Sequence, residues 1–499
     1  MLFNSVEFLL IFLPTVFVVF FLIARINHQA AMTWLAAASV FFYGYWSLYA
    51  LPIMMASICV NYLIGMWIAN KSFSRRKALL ILAIIGNLAA LAYFKYADFF
   101  IDNTNVIRLQ MGLDELDSLN VVLPVGISFF TFTQMAYLID TYQGKASEAS
   151  FLKYILFVSY FPHLLAGPLI HHRQMMPQFA NPANSRIVSW KVALGLSIFT
   201  VGLAKKVLLA DPLSTYVDTF YNAVLQEMPP TLWASWIGSL AYSFQLYFDF
   251  SGYSDMAVGV SLLFGIWLPF NFNSPFRATS IIDFWQRWHI TLTKYVGEYL
   301  YVPLMLRFMR NVTTRNEALE LLSSITPTIV VFILLGMWHG ANWTFVVFGL
   351  MHGCFLAVNH IWRKLFPPAR TKQQHRSLKI VIGWTLTFLA VNISTVMFRS
   401  DSVGTAIEVY KGMLGFNGIG FNVSDTWLAA YGLVLLITVM AFPIVLLLPN
   451  TTKMEAMYNR HIANDRKLNF SLIGSCLVAM AILCYVTMNQ KTTFLYFQF

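Results

Sequence analysis

Apolar stretches long enough to cross a bilayer recur along this chain from residue 6 to residue 488. No other feature limits the fold so tightly. In a bilayer core every backbone N–H and C=O must find its partner inside the protein, so a spanning segment is a helix or a strand of a closed barrel. Barrel strands read as short alternating segments. The runs here are continuous, which predicts an all-α polytopic membrane protein. We count roughly eleven to thirteen hydrophobic helices, some too short or too interrupted to cross alone. Charge agrees: 11% of residues are charged, against roughly 25% in soluble chains.

The net charge of +11 does not point to nucleic acid. The basic residues sit in short loops between apolar runs, where they set orientation in a bilayer. The loop Lys71 to Lys77, the loop Trp362 to Lys379 and the stretch holding Arg460, Arg466 and Lys467 are basic and are placed in the cytoplasm. The stretch Asp98 to Asn120 carries five acids and one Arg and is placed outside, as is Arg399 to Asp425. Counting spans from these loops puts both termini outside. The first span, from Val6, has no basic residue before it and is read as retained rather than as a cleaved signal. The four cysteines show no pairing pattern and are read as small buried apolar residues.

We see no internal repeat and no appended soluble domain. The chain is read as one membrane domain over 1–499, with plain spans up to 118, a polar-spiked core over 119–362 and plain spans over 363–499. The basic loop with Pro367 and Pro368 marks the second boundary.

Chemistry concentrates in that core. The stretch "IIDFWQRWHITLTKYVGEYLYVPL" (281–304) is amphipathic. Asp283 and Arg287 are one turn apart and can pair, and Trp285 and His289 share a face by the same spacing. So polar a helix lies at the interface or dips into a polar cavity. A plain interfacial helix anchored by its two Trp residues fits the composition equally well.

The stretch "GMWHGANWTFVVFGLMHG" (336–353) places His339 and His352 among apolar and aromatic residues. On one unbroken helix they would lie on roughly opposite faces, about 20 Å apart, and could not act as a pair. Gly336 and Gly340, and Gly349 and Gly353, are four apart, a spacing that lets another backbone come close. An ionisable residue in such a junction is a functional candidate, and imidazole titrates where proton transfer near neutrality needs it. A histidine that only bonds a neighbouring helix is the alternative. His339, flanked by Trp338, Asn342 and Trp343, favours function. Asp249, in "YFDFSGYSDMAVG", is a further polar candidate, although pairing with Lys205, Lys206 or Arg277 would account for it.

The chain has no GxSxG elbow, Walker A loop, HExxH or zinc-spaced Cys/His set. Neither a metal nor a nucleoside triphosphate is expected. The residues alone therefore leave two classes open: an acid–base enzyme, or a transporter with a protonatable site.

The motifs "LPVGISFFTF" (123–132), "FPHLLAGPLI" (161–170), "LYFDFSGYSDMAVG" (246–259), "DFWQRWHITL" (283–292) and "GMWHGANWTFVVFGLMHG" resemble the membrane-bound O-acyltransferase family. The nearest likeness is to its branch for O-acetylation of alginate and other envelope polysaccharides. "MLFNSVEFLLIFLP" at the start and "MFRS" (397–400) fit that branch as well. The resemblance spans nearly the whole chain. It implies a helical bundle around a central funnel in the bacterial inner membrane. It implies a cytoplasmic acyl thioester donor, acetyl-CoA or another, with no bound cofactor. The acetyl group would pass outward to a periplasmic acetyltransferase-like or esterase-like partner, or directly to an envelope polysaccharide such as alginate or peptidoglycan. The family's catalytic histidine corresponds to His339 and its second histidine to His289. His339 is thus expected to be the general base and His289 to orient the donor or assist proton transfer. Trp285, Arg287, Trp338, Asn342 and Asp249 are expected to shape the substrate pocket, and His352 to support it. After "RWHITL" the chain departs from the branch: Gly297 and Glu298 stand where Arg and Asp are usual, and the Gly-Gly-Asn-Arg turn is missing. That difference bears on substrate or partner more than on fold.

Three competitors remain. D-alanyl transfer to teichoic acids is the nearest, within the family. A non-catalytic transporter of polysaccharide or acyl groups would favour an inverted repeat, which we do not see. A structural scaffold would depend on its surface loops and on no single buried histidine.

Overall fold

A computed structural model describes residues 1–310, 317–366, 376–420, 425–456, 470–487 and Leu495. Among these residues all regular structure is helical, with no strand. Six helical stretches are long and apolar enough to cross a membrane: Ala50–Ala69, Arg76–Gln110, Ser189–Leu225, Leu321–His339, Trp343–Leu365 and Ser377–Arg399. Shorter apolar helices cover Phe8–Ala24, Gly432–Leu447 and Leu477–Thr487. Other apolar stretches of the sequence are divided into shorter pieces such as Ile127–Tyr142 and Phe151–Ser159. The chain is a multi-pass membrane protein. Arg460, Arg466, Lys467, Pro367 and Pro368 lie outside the described residues. Cys354 departs from the expectation of burial: it is exposed on its helix, where a span can present a small apolar side chain to lipid.

The chain falls into two compact units. The first comprises residues 1–203, 253–269 and 469–489, and the second 204–252, 270–468 and 490–499. The stretch 119–362 expected as a core contributes to both.

In the first unit an aromatic cluster of Phe3, Phe8, Phe12, Phe42 and Phe161 packs the N-terminal helices together. Three amides of this unit's helices find polar partners, as a medium without water favours. Asn61 and Asn87 exchange hydrogen bonds at 3.2 and 2.7 Å. Gln134 donates to Ser57 at 2.9 Å and accepts from the Tyr154 hydroxyl at 3.3 Å. The acidic stretch after Gln110 folds back onto its own helix. Asp98 accepts from the Ser118 hydroxyl at 2.9 Å and from the backbone N–H groups of Leu119 at 2.8 Å and Val121 at 3.0 Å.

The second unit holds the stretch with most of the candidate residues. Residues 232–252 of the helix Leu232–Leu263 are tied to the helix Arg376–Arg399 by hydroxyls and an amide. Ser243 donates to Asn392 Oδ1 at 2.8 Å and lies 2.7 Å from the Thr395 hydroxyl, and Asn392 donates to Ser239 at 3.1 Å. Phe244, Phe276, Phe388 and Phe442 fill the space beside this network. The span at 380–397, plain by hydropathy, thus carries a polar face.

Candidate functional site

The helix Glu317–His339 ends on His339 itself. Asn342 is extended, with φ −149° and ψ 148°, and caps the helix Trp343–Leu365 by accepting from the Thr344 N–H. At 3.1 Å this bond satisfies one of the donors left open at a helix start. The chain therefore turns between His339 and Trp343, and the two helices pack side by side as a hairpin. A Cβ on Gly336 would lie 3.0 Å from Gly349 Cα and collide with the Phe345 carbonyl oxygen. A Cβ on Gly349 would collide with the Phe332 carbonyl oxygen, and one on Gly353 would lie 3.0 Å from Ile329 Cα. The glycine spacing serves this close approach. The expectation that His339 and His352 lie far apart on one helix fails, because the helix is broken between them.

The turn instead brings both histidines to one cavity of about 30 Å³. Its aromatic walls are Phe276, Phe284, Trp285, Trp288, Phe348 and Phe398, and its polar lining is His339, His352, Ser243 and Thr395. No Asp, Glu, Lys or Arg is among the residues that line it. His339 and His352 are both buried. The Phe348 ring stands between them, 6.1 Å from the His339 ring and 4.7 Å from that of His352. Phe398 closes over His339 at 5.2 Å. A histidine in so apolar an enclosure meets few competing waters.

The segment 281–304 is not one helix. It runs as Ile281–Trp285, Ile290–Val296 and a wider turn over Gly297–Tyr301, and the helix Val302–Arg310 follows. The break falls at His289, whose backbone is left-handed with φ 43° and ψ 53°. Such a conformation costs a non-glycine residue about 1–3 kcal/mol and persists only when neighbours impose it. Asn271 is that neighbour. Its carbonyl accepts from Ile290 N–H at 2.9 Å, and its Oδ1 accepts from the Thr291 hydroxyl at 2.5 Å. The expected shared face of Trp285 and His289 is lost at this kink. Trp285 faces the cavity, while buried His289 packs against Phe250 at 4.7 Å and sits 6.5 Å behind the Trp338 ring. Trp338 in turn lies 4.9 Å from His339, so one indole neighbours both histidines.

The other candidates occupy the surroundings. Arg287 pairs with Asp283 at 2.7 Å, as the spacing predicts, and is partly exposed. It also donates to the Asn273 carbonyl at 3.3 Å. Asn342 caps its helix and donates to the Asp401 carbonyl at 2.8 Å. Asp249 is buried in an ion pair with Lys206 at 2.6 Å and accepts from Leu495 N–H at 2.8 Å. Lys206 also pairs with Asp211 at 2.8 Å. Of the expected site residues, Trp285 and His339 line the cavity, with His352 beside them. Trp338 and His289 back them, and Arg287, Asn342 and Asp249 are outside the lining.

Ser243, Thr395, Phe348 and Phe398 were missed. The run "NIST" at 392–395, polar within an apolar span, was the signal that could have found Thr395. Among the described residues no three His, Cys, Asp or Glu side chains gather as for a metal ion.

A model of the membrane-bound O-acyltransferase family matches residues 118–399, a range that holds the cavity. A peptidoglycan O-acetyltransferase of Helicobacter pylori is 40% identical over 447 residues, covering 84% of this chain and 81% of that protein. A probable alginate O-acetylase of Pseudomonas aeruginosa is 36% identical over 419 residues, covering 83% and 75%. A teichoic acid D-alanyltransferase of Streptococcus thermophilus is 25% identical over 287 residues, covering 55% and 68%.

Proposed function

This chain belongs to the membrane-bound O-acyltransferase family, and is by that membership an acyltransferase; from that premise we propose that it moves acetyl groups from a cytoplasmic thioester, such as acetyl-CoA, to a hydroxyl acceptor across the bacterial inner membrane. The final acceptor is an envelope polysaccharide, peptidoglycan or an alginate-like polymer, reached directly or through a periplasmic partner protein. Both termini face the periplasm in this reading: the basic loop Lys71 to Lys77, counted back, places the N-terminus, and the basic stretch with Arg460, Arg466 and Lys467, counted forward, places the C-terminus.

The observation that carries the proposal is the cavity at His339. A hydroxyl is a poor nucleophile until a base takes its proton. His339 takes the proton as the hydroxyl oxygen attacks the thioester carbonyl. The tetrahedral adduct then expels the thiolate, which receives the proton back from His339, leaving an ester and a free thiol. Ser243 and Thr395 line the same space, with their hydroxyl hydrogens bonded to Asn392. Trp285 and Trp338 wall and back it, and His289 supports Trp338 from behind. Arg287 and Asn342 hold the kinked segment and the hairpin turn that carry these groups.

The cavity also speaks to the acyl group. The space beside His339 is small, about 30 Å³, and walled by aromatic rings. A D-alanyl group carries an ammonium, which would be costly to bury without a carboxylate partner, and no carboxylate lines the cavity. The test is donor competition with the purified protein in proteoliposomes. Free thiol is measured with acetyl-CoA, palmitoyl-CoA or a D-alanyl thioester outside and an oligosaccharide acceptor inside. Acetyl-CoA consumption that depends on the acceptor is expected. Preference for the D-alanyl or palmitoyl donor would overturn the acetyl assignment.

A further inference from the structure

The wall of the cavity formed by Trp285 is held from behind by a directed chain of hydrogen bonds. The Trp285 indole N–H donates to His352 Nδ1 at 3.3 Å. An indole nitrogen only donates, so Nδ1 carries no proton and the imidazole is the neutral form protonated at Nε2. That nitrogen lies 2.8 Å from the Ser394 hydroxyl oxygen, to which it donates. Ser394 passes its own hydrogen to the Val391 carbonyl at 2.7 Å. Both ring nitrogens of His352 are thereby spent, and Trp285, His352 and Ser394 are all buried. The rings packed around His352 are Phe284, Trp285, Phe332, Phe348 and Phe355, so no charged group faces it among these contacts.

We propose that His352 is a positioning residue: a neutral clamp between Ser394 and Trp285 that fixes the indole against the acyl group in the His339 cavity and carries no proton in the reaction. The inference rests on the acyl-transfer reading of that cavity. The chain joins three elements, the short helix Ile281–Trp285, the hairpin helix Trp343–Leu365 and the helix Arg376–Arg399. A cavity wall hung on one short helix next to a kink has little support of its own. Bonding it to two long helices preorganises it, and the site gains rigidity without a second titrating group beside His339.

The test uses full-length protein in nanodiscs, with acetyl-CoA as donor. In His352→Gln the amide oxygen can still accept from Trp285 and the NH2 can donate to Ser394, yet the group cannot titrate. His352→Phe keeps the ring and loses both bonds. We expect His352→Gln to keep kcat within about threefold of wild type and His352→Phe to lose about tenfold or more. Trp285→Phe should lose as much as His352→Phe, and combining the two should add little. The pH profile of transfer by His352→Gln should superimpose on that of wild type. In parallel, 15N NMR of histidine-labelled protein should show the His352 ring, assigned by its loss in the Gln variant, as the Nε2–H tautomer, unchanged from about pH 5 to 8. A Gln variant as inactive as the Phe variant, a displaced pH profile, or a ring that titrates overturns the clamp. If wild type transfers no acetyl group while the NMR shows the fixed tautomer, the acyl-transfer reading falls and the hydrogen-bonded clamp stands.

Discussion

Gly336 and Gly349 face each other across the hairpin so closely that a Cβ on Gly336 would stand 3.0 Å from the Cα of Gly349. Their contact sets where His339 ends up relative to His352. Either glycine replaced by alanine collides with a backbone carbonyl of the opposite helix, and backbone cannot rotate away as a side chain can. We predict that Gly336→Ala and Gly349→Ala each destabilise the protein by about 1–3 kcal/mol or more and lower acyl transfer with it. Gly86→Ala is the control: nothing lies within 4 Å of its added Cβ, and its mid-helix position should make alanine neutral or slightly stabilising. Thermal unfolding in detergent distinguishes the two sites.

Lys206 holds two carboxylates, those of Asp249 and Asp211, in a buried cluster. Removing the lysine takes away the cation that both carboxylates share. Removing one carboxylate charge leaves a matched pair. Lys206→Met should therefore cost about 3–5 kcal/mol, visible as lost protein in the membrane. Asp249→Asn keeps one of its two contacts and should cost about 1–2 kcal/mol. The reverse order of severity in thermal stability would contradict the pairing.

Phe348 stands between the two histidines of the cavity and limits the space beside His339. Phe348→Leu is predicted to make room for one more methylene. The ratio of propionyl to acetyl transfer, measured as kcat/KM for the two thioesters, should rise about tenfold. An unchanged ratio would mean that the acyl group sits elsewhere.

Much of this was legible in the sequence. Continuous apolar runs dictated helices, and His339 stood out because an imidazole in such a run needs a reason. The Asp283–Arg287 pair followed from spacing alone. What escaped was geometry set by breaks. Helical periodicity was carried through residues 340–342, although Gly340 and Asn342 are a stop and a cap, and this misplaced His352. The kink at His289 depends on Asn271, eighteen residues upstream, and no local pattern announces it. Ser243 and Thr395 meet only because two distant helices pack, so their shared polar face was invisible one span at a time.

If His339 is the base for acyl transfer, its loss is read in the O-acetyl ester content of envelope polysaccharide in cells whose only copy is His339→Ala. Membrane levels of the protein are followed alongside. O-acetyl content should fall to background, matching the loss of about 10²–10⁴ in rate that removing a general base brings, with the protein still present in the membrane. Normal acetylation in that variant would mean that His339 is not the base.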